Sequence, residues 1–198
     1  MSRRLGVLLL GYGLAGRVFH APLIGACDGL ELRSVVTSDP ERRAQALDDT
    51  PGVRLHASSA EAFDDLAGID LVVVANANQA HAADALRAIG AGLHVVVDKP
   101  LAGSLAQAQE IAIAAQAAGV QVHTFQNRRW DADFLGLQEV ARSGQLGTLH
   151  RLESRFERLR VEPKGNWRES AAPEQLGGVL LDFGAHLVDQ ALELLGPV

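Results

Sequence analysis

The apolar run Leu5–Leu10 closes directly on Gly11-Tyr12-Gly13-Leu14-Ala15-Gly16. An unbroken apolar strand has to be covered on both faces, which places it inside a sheet flanked by helices. The glycines that follow prescribe a sharp turn into a helix. Gly11 permits the tight turn, Gly13 lets the backbone come close to a diphosphate, and Gly16 lets the helix pack against the strand. The amides of Leu14, Ala15 and Gly16 then stand at a helix start, where phosphate oxygens bind. A glycine-rich turn without a ligand would look the same in isolation. The strand before it and the helix after it favour the dinucleotide-binding reading.

The rest of the first half repeats the theme. Strand-like segments lie at residues 31–36, 70–75, 93–98 and 120–125, with a weaker one at 53–57. Helical segments alternate with them. One opens on Asp39 as N-cap with Pro40 at the first helical position. Two others, at 78–92 and 104–119, are alanine-rich and end in glycine. Alternating strands and helices specify an α/β fold, a Rossmann-type doubly wound parallel sheet, over residues 1–122.

Beyond residue 122 the pattern changes. Residues 131–147 suggest a helix and residues 148–161 alternate like a long, partly exposed strand. A polar stretch containing Pro163, Gly165 and Pro173 follows, and then a last helix at 177–196. Residues 123–198 are therefore expected to form a second domain, of the α+β class. A lone long strand leaves its backbone groups unpaired, so this domain is expected to be incomplete.

Composition narrows the function classes. Lys plus Arg number 18 against 24 for Asp plus Glu, a net charge of −6, which argues against nucleic-acid or membrane-surface partners. The one cysteine, Cys27, excludes an internal disulfide framework and a multi-cysteine metal site, and fits a reducing cytoplasm. The N-terminal arginines and short apolar run imitate a secretory signal, but the run ends at Gly11 without a cleavage site. No segment approaches the roughly 18 apolar residues of a membrane span. The expectation is a cytoplasmic protein without a metal that acts on a small molecule.

Residues at the strand ends refine the ligand. An acid closing the second strand would read the ribose hydroxyl of NAD. Here Thr37 and Ser38 stand there, Asp39 is better used as a helix cap, and Arg42 and Arg43 follow. Small hydroxyls beside arginine suit a 2′-phosphate, so NADP is favoured over NAD. In the plainer reading both arginines are solvated helix residues. Asn76, Asn78 and His81 follow the fourth strand, and Asp98, Lys99 and Pro100 end the fifth. Ligands of open parallel sheets bind at that edge. A lysine at the end of a buried strand could hold a substrate hydroxyl and stabilise alkoxide charge. Pro100 is a candidate for a cis peptide bond or a plain strand-ending turn.

In the last helix Asp182, His186, Asp189 and Glu193 form one polar stripe. Taken alone, such a stripe is a solvent face. Together the stretches "GYGLAGRVFHAPLI", "NANQAH", "DKPLA", "FQNRRWDADF" and "GGVLLDFGAHLVDQALELLG" resemble the glucose–fructose oxidoreductase, inositol dehydrogenase and MocA family of NAD(P)-dependent oxidoreductases. The resemblance spreads along nearly the whole chain. Asp98-Lys99-Pro100 stands for the family's Glu-Lys-Pro, and Asn76-Ala77-Asn78 for its Thr-Pro-Asn; neither departure removes a reacting group.

The resemblance implies three catalytic residues. Lys99 matches the family lysine, and Asp182 and His186 match its Asp-x-x-x-His pair. His186 would be the general base or acid for a substrate hydroxyl, which suits an imidazole. Asp182 would orient it, and the charge of Lys99 would favour its neutral form. Arg128, Arg129, Trp130, Trp167 and Arg168 would line the mouth, although helix packing and surface pairing explain them equally well. Family members continue into a mostly antiparallel sheet that walls the substrate and makes the oligomer contact. This chain is accordingly expected to be a truncated form, to self-associate, or to need a partner that completes the second sheet. The expected function is an oxidoreductase acting on a sugar, polyol or related carbonyl compound. The alternative is a dinucleotide-binding protein without turnover. A methyltransferase is disfavoured by Lys99-Pro100 and by the Asp182–His186 pair.

Overall fold

Six strands form one parallel sheet: β1 (Leu5–Leu10), β2 (Leu30–Val36), β3 (Arg54–His56), β4 (Leu71–Val74), β5 (His94–Asp98) and β6 (Val122–Phe125), in the order β3-β2-β1-β4-β5-β6. This is the strand order of a doubly wound dinucleotide fold, with the order reversing between β1 and β4. In-register pairs run across that point, with Leu10 opposite both Val36 and Val74, and Val74 opposite Val97. The computed structural model describes residues 3–157, 159, 161–162 and 175–197. It divides into two units, Met1–Phe125 and Gln126–Val198.

The alternation of side chains along β1 sorts the first unit into two cores. Leu8 and Leu10 point to one face, where they meet Val72, Val74, Val95, Val97 and the helices α3 (Ser59–Asp64), α4 (His81–Gly90) and α5 (Leu105–Ala118). Val7 and Leu9 point to the other, against α1 (Ala21–Ala26) and α2 (Pro40–Asp49). All four β1 side chains are fully buried, each contributing roughly 1.5–3 kcal/mol of transfer free energy. Ala85 and Ala88 are also fully buried, so α4 lies close against the sheet.

Local chemistry sets the helix ends. Asp39 caps α2, accepting from the Glu41 and Arg42 amides at 2.9 and 3.1 Å. Ser104 caps α5, which ends at Gly119 in the left-handed region, φ 67°. The short helix α3 is absent from the strand-and-helix pattern above, yet it carries a start signal. Ser58 accepts from the Glu61 amide, and the Glu61 carboxylate accepts from the Ala57 amide. The chain enters α1 through a wider π-helical segment, Ala15–His20, in which the Ala21 amide donates to Gly16 five residues back.

The second unit contains α6 (Ala132–Arg142) and α7 (Ala185–Leu195), the latter entered through a π-helical segment, Leu180–Gly184. The expected strand at 148–161 is corrected: residues 148–157 contain no strand. Alternation fixes which residues would share a face, but a strand also needs a partner ladder, and no strand pairs here among the described residues. Phe156 instead stacks on Phe183 with ring centroids 5.0 Å apart, and the Arg128 guanidinium lies 4.6 Å from the Phe156 centroid.

Candidate functional site

The three glycines are held for different reasons. Gly11 adopts φ 102°, and a Cβ there would meet the Ala75 carbonyl oxygen at 2.7 Å. A Cβ on Gly16 would meet the Gly11 carbonyl oxygen at 2.0 Å, so the helix can approach the turn only without a side chain. In front of Gly13 the space is open, with Arg42 Nη1 the nearest group, 3.8 Å from where a Cβ would lie. Leu14, exposed, and Ala15, half-buried, begin the helix with no side-chain cap on its amides. The turn thus offers bare backbone and unfilled space, which is what a diphosphate requires.

Tyr12 fastens this turn from below. Its hydroxyl donates to Asp49 Oδ2 at 3.0 Å, and Arg17 Nε donates to the same oxygen at 2.8 Å. Burial and the Asp49 hydrogen bond push the Tyr12 phenol up to about 12. Arg17 first, then Tyr12, holds the Asp49 carboxyl below the usual carboxylate range.

At the end of β2, Thr37 is buried and Ser38 exposed. Arg43 Nη1 donates to the Thr37 carbonyl at 3.2 Å, so Arg43 serves the backbone. Arg42 is half exposed, with Nε 3.7 Å from its neighbour Asp39, and reaches over Gly13. Of the two arginines, Arg42 is the one whose side chain lies beside Gly13.

The turns after β4 and β5 are tied together. His81 is 1% exposed; Nδ1 lies 2.7 Å from the Pro100 carbonyl oxygen and Nε2 3.4 Å from that of Asn76. Its imidazole thus bridges the turns after β4 and β5, at the sheet edge where it is a candidate for contacting the cofactor. The Asn76 side-chain amide donates to Asp84 Oδ2 at 2.7 Å, and Ser59 Oγ donates to the same oxygen at 3.2 Å. Asn78 is buried. Asp98 turns back to accept from the Lys99 amide at 2.8 Å, and the Lys99–Pro100 peptide is cis. Lys99 and Pro100 are half-buried at the strand end.

Two residues here escaped sequence reasoning. Asp84 lies on the inward face of an alanine-rich helix and meets Asn76 only through the fold. His20 is 4% exposed, with Nε2 4.0 Å from Asp98 Oδ2 and its ring 4.3 Å from that of Phe125. Burial holds its pKa below the ordinary value, with Asp98 opposing and His81 assisting.

In the second unit, the polar stripe from Asp182 to Glu193 is buried or half-buried except at Glu193, which is exposed. His186 is buried, Asp182 half-buried, and Asp189 and Glu193 both pair with Arg129. Gln190 donates to the Arg128 carbonyl at 3.0 Å. These partners hold the stripe against the turn Asn127–Trp130. Trp130 is 77% exposed, while Trp167 and Arg168 lie outside the described residues. No helix is long and apolar enough to cross a membrane, and no cluster of metal-ligating side chains forms, among the described residues.

Residues 5–126 match the oxidoreductase family described by its NAD-binding Rossmann fold, and residues 134–198 match the GFO/IDH/MocA C-terminal domain. The chain is 41% identical over 196 residues to the uncharacterized oxidoreductase YdgJ of Escherichia coli strain K12, covering 99% of this chain and 55% of that protein. It is 34% identical over 188 residues to scyllo-inositol 2-dehydrogenase (NADP(+)) IolW of Bacillus subtilis strain 168, covering 95% and 51%. Among solved structures, an NAD-binding protein from Listeria innocua superposes with a TM-score of 0.87 at 33% identity, covering 98% of this chain and 55% of that one. The chain therefore spans about half the length of the curated relatives it matches.

Proposed function

The chain belongs to the GFO/IDH/MocA oxidoreductase family, and from that premise we propose that it binds NADP in preference to NAD and transfers hydride to or from a sugar, polyol or related hydroxy or carbonyl compound. The observation that carries the cofactor part is the open backbone at Gly13 with Arg42 Nη1 beside it. The amides of Leu14, Ala15 and Gly16 hold the diphosphate, and Arg42, with Thr37 and Ser38 at the same strand end, holds the 2′-phosphate. A forked guanidinium suits that anion better than an ammonium would. The cofactor, when bound, supplies the hydride chemistry. Asn76, Asn78 and the turn Asp98-Lys99-Pro100 form the sheet edge on the nicotinamide side.

Each proposed catalytic residue has a distinct task. The Lys99 ammonium holds the substrate oxygen and stabilises negative charge developing on it. His186 takes the hydroxyl proton during oxidation and returns it during reduction. Asp182 orients the imidazole or holds an adjacent hydroxyl. The inositol substrate named for IolW is consistent with this class. The protein acts in the cytoplasm and self-associates. Val179 and Leu180, both more than 70% exposed, are candidate contacts for association.

Titration of the full chain with NADPH and NADH, followed by nicotinamide fluorescence, tests the cofactor assignment. Arg42→Ala is expected to weaken NADPH by about tenfold and to leave NADH unchanged. Equal affinities in the wild type would remove the NADP preference. Lys99→Ala and His186→Ala are each expected to abolish turnover of polyols or ketosugars while retaining NADPH binding. Binding without turnover in the wild type would establish the second reading, a dinucleotide-binding protein without catalysis.

A further inference from the structure

The glycine-turn helix and the end of β5 meet at His20 and Asp98, and the proposed chemistry gives the His20 imidazole no part. His20 closes the π-helical segment that begins at Ala15. Its Nε2 is buried and makes no hydrogen bond among the described residues. It faces Asp98 Oδ2 at 4.0 Å, and the other oxygen of that carboxylate accepts from the Lys99 amide. Phe125, the last residue of β6, backs the imidazole at 4.3 Å. A buried imidazole nitrogen left unbonded costs about 1–3 kcal/mol, so a protein that merely needed bulk here would do better with an apolar ring. Facing a carboxylate, the nitrogen has a partner about one ångström beyond hydrogen-bond reach.

We propose that His20 is a positioning residue for Lys99: donating from Nε2 to Asp98, it fixes the carboxylate that in turn fixes the Lys99 backbone, and so couples the glycine-turn helix to the strand end that carries the lysine. The neutral imidazole, with its proton on Nε2, suffices. Protonation of the second nitrogen strengthens the attraction to Asp98, and the other titratable group acting on the ring is His81 of α4. The proposal rests on Lys99 standing beside the nicotinamide half of the cofactor. The coupling between His20 and the Lys99 amide does not depend on that reading.

Two measurements on the full chain separate them. The first is a pH titration, without ligand, of isotope-labelled histidine and backbone amides by NMR. The Lys99 amide is expected to shift with the midpoint of His20, and that shift is expected to vanish in His20→Phe and in Asp98→Asn. A Lys99 amide indifferent to the state of His20 overturns the coupling, whatever the protein binds. The second compares NADPH with 2′,5′-ADP, which lacks the nicotinamide half. His20→Phe is expected to weaken NADPH by about tenfold and to leave 2′,5′-ADP unchanged, and His20→Gln, which keeps a neutral donor, to restore most of the loss. Equal weakening of both ligands, or no rescue by glutamine, overturns the positioning role. Failure of the wild type to bind either ligand refutes the cofactor reading, while the amide titration still decides the coupling.

Discussion

Arg129 forks onto Asp189, with Nε donating to Oδ2 at 2.7 Å and Nη2 donating to Oδ1 at 2.6 Å. Asp189 raises the guanidinium pKa above its ordinary value. The fork ties the turn Asn127–Trp130 to α7, close along the helix to His186. Arg129→Lys is expected to behave as a disruptive change, because an ammonium cannot reproduce two parallel hydrogen bonds. Chemical denaturation should show a loss of about 1–2 kcal/mol for either Arg129→Lys or Arg129→Ala. An unchanged midpoint in the lysine variant would show that the fork does not hold the helix.

Gly13 and Gly16 should separate binding from folding. A Cβ on Gly16 collides with the Gly11 carbonyl at 2.0 Å, whereas one on Gly13 approaches nothing closer than 3.8 Å. Gly16→Ala is expected to lower Tm by several degrees or to prevent folding. Gly13→Ala is expected to melt like the wild type while losing at least about tenfold in NADPH affinity, since its methyl group occupies the space a diphosphate needs. Thermal melts and fluorescence titrations of the two variants check this. A Gly13→Ala protein with full affinity would place the phosphates elsewhere.

Asp84 holds the turn after β4. It is 9% exposed and accepts from both Asn76 and Ser59. Asp84→Ala strands two donors and is expected to cost about 1–3 kcal/mol in urea unfolding. Asp84→Asn keeps an acceptor oxygen and should cost less. If the two variants unfold alike, the carboxylate is not the group that holds the turn.

Stability should fall on mild acidification because of His20. Burial keeps its folded-state pKa below the ordinary value. As pH drops through about 6.5 the unfolded chain binds a proton that the folded chain still refuses. Between that value and the lower folded one, the unfolded state holds more protons, so stability falls as the pH falls. Above it the contribution of the neutral ring is complete. His20→Phe removes this titration, so its Tm should fall less than that of the wild type between pH 7.5 and 5.5. Parallel slopes would mean that His20 ionises equally in both states.

Local sequence was enough for the first unit's scaffold. The apolar run of β1, the glycines after it and the caps at Asp39 and Ser104 follow from steric rules and backbone hydrogen bonding that act over a few neighbouring residues. So does the α3 start at Ser58, although its signal was passed over. The parallel sheet followed from alternation, while the order β3-β2-β1-β4-β5-β6 came from the structure. Tertiary structure decided which polar groups meet. His81 bridges two strand-end turns, Asp84 takes Asn76, His20 faces Asp98, and Arg129 joins the stripe of α7. The partners lie from five to about eighty residues away, outside the spacings that helix or strand periodicity pairs, and nothing local tells a buried, paired side chain from a solvated one. The same limit defeated the strand expected at 148–161. Alternation is a property of one segment, whereas a strand exists only when a second segment supplies the other half of its hydrogen bonds.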